Sequence, residues 1–169
     1  MSTVSFVLHP RTINAILDGM RPYQIARQQW LPAPLENVFS FFSRPENLQA
    51  LTPPFLDFQL VEVPQEMRAG SLIRYKLRLR GLPIRWTTKI TEWDPPHGFK
   101  DDQLSGPYAL WHHEHRFVAE RGGTTMFDKV SYALPLGILA TPAHWLFVRR
   151  DIENIFDYRE KRMKDLFGG

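Results

Sequence analysis

From Ser71 to Arg80 the chain alternates without a break, with Ile73, Tyr75, Leu77 and Leu79 on one parity and Arg74, Lys76, Arg78 and Arg80 on the other. Only an extended strand sends successive side chains to opposite faces, so this stretch reads as half-buried sheet. Gly81-Leu82-Pro83 interrupts it, and the alternation resumes from Ile84 to Trp93. There Ile84, Trp86, Thr88 and Ile90 oppose Arg85, Thr87, Lys89 and Thr91, which predicts a hairpin with one apolar and one basic face. The basic face reads as a solvated strand surface; otherwise it would draw anionic head groups, nucleic acid or an acidic partner.

More strands follow from the same pattern. Tyr23 to Leu31 reads as the first, with no pattern to say which face it buries. Phe55 to Val63 precedes the hairpin, and Phe99 to Leu104 follows it after the turn Asp94-Pro95-Pro96-His97-Gly98. Gly106 to Phe117 and Thr124 to Leu134 complete an antiparallel meander of about seven strands. Two helical stretches interrupt the order. After Pro34, which suits a first helical position, Leu35, Val38, Phe39 and Phe42 recur at i, i+3, i+4, i+7. Ser43-Arg44-Pro45-Glu46 then has capping-box form and predicts a second short helix, ended by Thr52-Pro53-Pro54.

From Pro142 to Phe167 the period is helical again, with Ala143, Leu146, Phe147, Ile155, Phe156, Met163, Leu166 and Phe167 on the apolar side. At ~1.5 Å per residue this helix would be about 39 Å long. Asp151 to Lys164 is dense in charge, so one stripe alone is expected to be buried. A long amphipathic helix after a curved antiparallel sheet closes over its concave face, an α+β layer arrangement. Met1 to Met20 reads as a weakly ordered leader, with Met20 an alternative start, and residues 21–169 as a single domain.

Composition narrows the function classes. The 169 residues suffice for one real core. Aromatic content is 13%, rich enough to line a pocket as well as fill a core. The net charge of +3 is too weak to argue nucleic-acid binding, and no nucleic-acid partner is expected. There is no cysteine, so disulfides and thiolate chemistry are excluded, which fits a cytoplasmic protein. No window has the ~18 uninterrupted apolar residues of a membrane span. The apolar run Leu134 to Leu139 still reads as a portal, a membrane-touching lip or a dimer contact, unless it packs on its own domain. Monomer and homodimer both stay open.

Chemistry concentrates in one strand. Trp111, His113, His115 and Phe117 share a parity; His112, Glu114 and Arg116 share the other. The first face carries two imidazoles where a plain core strand would place Val or Leu, which implies a partly polar interior and suggests a cavity. With Gly122-Gly123 as a two-residue turn, facing residue numbers sum to 245, so Phe117 faces Asp128, His115 faces Val130 and His113 faces Tyr132. Asp128 then lies diagonal to His115 on the histidine face. The inward set becomes Trp111, His113, His115, Asp128 and Tyr132, joined by Trp86, Thr88, Asp101, Gln103 and Tyr108 as candidate ligand contacts.

Four readings compete for this cluster. It is a satisfied hydrogen-bond network, the polar contacts of a mostly apolar pocket, a His–Asp base for proton abstraction beside a carbonyl, or a metal site. For catalysis the candidates are His113, His115 and Asp128. His113 and His115 have HxH spacing, but the third ligand is only guessed at, so neither a metal nor any other cofactor is expected. His97 and His144 are expected to have no chemical role.

The element order resembles the START/Bet v 1-like helix-grip superfamily, also called SRPBCC, over about Tyr23 to Phe167. Local motifs are similar to a bacterial branch described as polyketide cyclase/dehydrase-like or ligand-binding. They are Gln29-Trp30-Leu31-Pro32-Ala33-Pro34, Pro45-Glu46-Asn47-Leu48, Leu51-Thr52-Pro53-Pro54, Glu92-Trp93-Asp94-Pro95-Pro96, and Gly106-Pro107-Tyr108 with Trp111, His113, His115 and Phe117. The resemblance implies a deep apolar cavity between sheet and long helix, and no fixed catalytic set. The expected function is a soluble binding or carrier protein for an apolar small molecule, lipid or polyketide-like. The alternatives are a cyclase/dehydratase-type enzyme and a regulatory domain of the kind labelled cell-division inhibitor.

Overall fold

The computed structural model describes residues 22–135 and 147–168. The leader, most of the Leu134–Leu139 run, His144 and the expected helix start at Pro142 therefore lie outside the described residues. Seven strands occupy Tyr23–Leu31 (β1), Gln59–Glu62 (β2), Leu72–Leu79 (β3), Leu82–Asp94 (β4), Gly98–Ser105 (β5), Leu110–Glu120 (β6) and Gly123–Ala133 (β7). They form one antiparallel sheet in the order β1-β7-β6-β5-β4-β3-β2. One helix, Leu35–Phe42 (α1), follows β1, and a long one, Arg149–Phe167 (α2), follows β7. Among the described residues no helix is long and apolar enough to cross a membrane.

The alternating pattern places faces as expected. Ile73, Trp86, Thr88, Ile90, Phe99, Asp101, His113, His115 and Phe117 are all buried on the concave side. In β1 the odd-numbered residues turn inward: Leu31 and Gln29 are buried, and Gln29 Nε2 donates to the Glu160 carbonyl of α2 (3.1 Å). Leu35, Val38 and Phe39 of α1 sink into a cluster with Leu31, Leu51, Phe99 and Phe117.

Three local expectations are corrected. The capping box does not form; Ser43 Oγ donates back to the Ser40 carbonyl (3.1 Å), and Pro45–Leu48 is one turn of 3-10 helix. The strand expected from Phe55 starts at Gln59, because Pro54–Leu56 is another 3-10 turn and Asp57 takes a left-handed φ of 44°. The β6–β7 turn is Arg121-Gly122, with φ of 54° and 74°, rather than Gly122-Gly123. Both central residues thus have the positive φ that a tight two-residue hairpin requires. Facing numbers consequently sum to 243, pairing Phe117 with Met126, His115 with Asp128 and His113 with Val130. A change of two in this sum keeps every side chain on its face.

The basic outer face is partly neutralised. Arg74 pairs with Glu62 and Arg78 with Asp57 (3.2 Å), whereas Arg80 does not share that face: it lies in the β3–β4 turn with φ of 51° and grips Asp151 of α2 through two bonds of 2.8 and 2.9 Å. These are exposed pairs of modest worth.

Gly98 shows how tightly the sheet closes beside the histidines. A Cβ there would meet the His115 carbonyl oxygen at 2.3 Å. Gly98→Ala is expected to destabilise the fold by about 1–3 kcal/mol, read as a lowered urea midpoint. An unchanged midpoint would mean that β5 and β6 can part here at no cost.

Candidate functional site

Between the concave face of the sheet, α1 and α2 lies a cavity of about 160 Å³. That is close to the roughly 150 Å³ of an apolar cavity able to take up benzene. Its walls are mostly apolar: Phe42 from α1, Ile73, Tyr75 and Leu77 from β3, Trp86 from β4, and Ile152 and Phe156 from α2. These residues gather here because β3 and β4 alternate strictly, while Ile152 and Phe156 stand one turn apart on α2. Tyr75 and Trp86 stack with ring centroids 5.8 Å apart, and the Trp86 Nε1–H donates to Thr88 Oγ1 (3.1 Å).

One end of the cavity is polar, and the ladder explains why. Strands β5, β6 and β7 place Asp101 directly beside His113, and His115 directly beside Asp128. The four groups form a checkerboard in which each imidazole lies between two carboxylates. His113 Nε2–H donates to Asp128 Oδ1, across the diagonal. On its other side His113 Nδ1 stands 3.7 Å from Asp101 Oδ2. His115 lies 3.9 Å from Asp101 through Nε2 and 3.7 Å from Asp128 through Nδ1, both beyond hydrogen-bond reach. The two imidazole centroids are 4.0 Å apart.

Arg159 completes the cluster. Its Nη1 donates to Asp128 Oδ2 at 2.9 Å, so Asp128, only 1% exposed, is held from both sides. Sequence reasoning missed this residue by treating the charged run of α2 as solvated. The signal was present: Arg159 lies three residues after Phe156 and four before Met163, on the same helical stripe as two buried side chains.

The environments separate the carboxylates. Burial pushes Asp101 up to about 6, against the lowering pull of His113 and Arg159. Burial also acts to raise Asp128, but the neighbouring His113, His115 and Arg159, with the His113 hydrogen bond, outweigh it and hold this carboxyl well below the usual range. The His115 imidazole is pushed well below its ordinary value, first by burial and then by His113.

Of the residues expected to meet a ligand, Trp86, Thr88, Asp101, Tyr108, Trp111, His113 and His115 stand on the cavity wall. Three do not. Asp128 lies behind the histidines as their support. Gln103 turns to the backbone of Tyr108, donating to its carbonyl (2.7 Å) and accepting from its N–H (3.3 Å). Tyr132 packs in a second apolar cluster with Val130, Ile152 and Phe156.

This arrangement of curved sheet and closing helix has known counterparts. Residues 31–156 match the family described as polyketide cyclase/dehydrase and lipid transport, and the chain belongs to that family. The fold is the START/Bet v 1-like (SRPBCC) helix grip. The aromatase/cyclase Zhui from Streptomyces sp. R1128 superposes with a TM-score of 0.68 at 14% identity, over 85% of this chain and 92% of that one. TTHA0849 from Thermus thermophilus gives 0.63 at 20% identity, over 85% and 99%. Ara h 8.0201 gives 0.60 at 15% identity, over 86% and 99%. At these identities the likeness is one of fold. No curated protein matches the sequence.

Proposed function

We propose that this protein binds or carries an apolar small molecule with one polar group, held between the sheet and α2. The observation that carries this reading is the cavity itself: mostly apolar walls ending in Asp101, His113 and His115. Such a division, apolar bulk with a few convergent polar groups, suits ligand binding. A volume of about 160 Å³ favours a single-ring or short-chain portion inside, with any longer part passing through the mouth. Gln103 and Tyr132 support the wall from outside it, and Asp128 acts through His113.

Calorimetry with 4-ethylphenol, in the presence of chelator, tests the reading. The wild-type chain is expected to bind one equivalent. Leu77→Trp, which places an indole in the cavity from a half-buried wall position, is expected to weaken binding at least about tenfold, or ~1.4 kcal/mol. Equal affinity in Leu77→Trp, or no uptake by the wild type, would defeat the proposal.

A second reading is an enzyme of cyclase or dehydratase type. It is favoured by His115 and Asp101 standing 3.9 Å apart on the wall, where a carbonyl-bearing ligand would meet both. His115→Ala separates the two. A binder keeps its affinity within a few-fold, whereas an enzyme loses turnover by orders of magnitude.

A further inference from the structure

We propose that Asp101, His113 and His115 form a binding site for a divalent transition-metal ion of the zinc or ferrous class. One ligand atom from each lies within 4.8 Å of the others, on three adjoining positions of β5 and β6 that face the cavity. The orientation of these atoms carries the argument. With Nε2–H given to the Asp128 carboxylate, the His113 nitrogen left for a metal is Nδ1, which faces Asp101 Oδ2 at 3.7 Å, and an ion bound there displaces any proton on it. His115 repeats the arrangement: Nδ1 is turned to Asp128 and Nε2 to Asp101, at 3.7 and 3.9 Å. Two ring nitrogens and a carboxylate oxygen thus converge on one region of the cavity wall.

His115 supplies the second observation. Its residue is 7% exposed, yet Nδ1 has no hydrogen-bond partner among the described residues. A buried polar group in that state needs an explanation. An ion drawing Nε2 inward would polarise the ring and strengthen the attraction of Nδ1–H to Asp128.

The surroundings fit a metal ligand set. An imidazole that binds metal through one nitrogen commonly gives its other N–H to a carboxylate, which fixes tautomer and ring angle. Asp128 would serve both histidines in this way, and Arg159 holds Asp128 in place (2.9 Å). Arg159 and Asp128 cancel, so the Asp101 carboxylate offsets one of the two charges of a divalent ion. Donors around a tetrahedral zinc at ~2.0–2.1 Å stand about 3.3 Å apart, so the Asp101–histidine distances of 3.7 and 3.9 Å close by roughly half an ångström and the two ring nitrogens, within 4.8 Å, by up to about 1.5 Å. Two imidazoles and one carboxylate leave coordination positions open, here toward the cavity.

This claim does not rest on the ligand reading above, because the ion needs no organic molecule in the cavity. The probe is Co²⁺ alone, added to chelator-treated protein and followed by visible absorption and calorimetry. One equivalent is expected to bind with visible d–d bands and large paramagnetic shifts of the His113 and His115 ring protons. Asp101→Asn and His115→Gln are each expected to weaken binding at least about 100-fold while circular dichroism reports a folded chain. The proposal is overturned if the wild type shows no saturable uptake, or if the paramagnetic shifts fall on other histidines. Affinity unchanged within about threefold in either folded variant overturns it as well.

Discussion

Asp128→Ala is expected to lower the stability of the folded chain by about 3–5 kcal/mol, measured by urea denaturation. The reason is what the carboxylate leaves behind rather than what it contributes in isolation. Arg159 has a side chain only 13% exposed and an Nε that already lacks a partner among the described residues. Without Asp128 its charge stays buried with no hydrogen-bonded counter-ion, and the His113 Nε2–H loses its acceptor at the same stroke. If this is the cause, removing both members should cost less than removing one. Asp128→Leu combined with Arg159→Met is expected to recover more than half of the lost stability, since a well-packed apolar pair replaces an ion pair at little cost. A loss below about 1 kcal/mol in Asp128→Ala would mean that Arg159 swings out to water, and that the cluster is not the rigid support described above.

Phe117→Ala is expected to cost a similar amount, about 3–5 kcal/mol, through the void it creates. Phe117 is 1% exposed, and its ring lies 5.2 Å from that of Phe42, 6.0 Å from Phe39 and 6.5 Å from Phe99. These rings tie α1 to β5 and β6 beneath the cavity, so the void cannot close without moving the helix. Thermal or urea unfolding checks it; a cost under about 2 kcal/mol would show that α1 settles freely onto the sheet.

How much of this was legible beforehand depends on the kind of signal. Strand faces were, because a period of two survives small errors in turn placement. The β6–β7 hairpin shows this: the turn was placed one residue late, yet the histidines and Asp128 stayed on the inner face. The displacement has a physical reason. A glycine pair looks like the natural turn, but Arg121 takes the positive φ, and Gly123 is needed for a different purpose. A Cβ at Gly123 would meet the Leu31 carbonyl oxygen at 2.3 Å, so this glycine serves the close approach of β1. Nothing in local spacing separates those two uses of glycine.

Polar contacts over long sequence distances were not legible. Arg159 reaches Asp128 across 31 residues, and Gln29 meets Glu160 across 131. Helical spacing put Arg159 on the buried stripe, but a charged residue in a charged segment gave no reason to look there. Gln103 shows the reverse failure. Its parity was read correctly, but the Gly106-Pro107-Tyr108 bend brings backbone groups within reach, and the amide satisfies those instead.

The claim on which the account turns is that small apolar molecules enter the space between β3, β4 and α2. Methyl NMR during titration with 4-ethylphenol tests it most directly, because each wall carries its own reporter. Saturable one-site shifts are predicted for Ile73, Leu77 and Ile152 around the cavity, with Val61, Leu82 and Leu104 on the exposed surface unmoved. Shifts confined to those exposed residues, or none at saturating ligand, would contradict it.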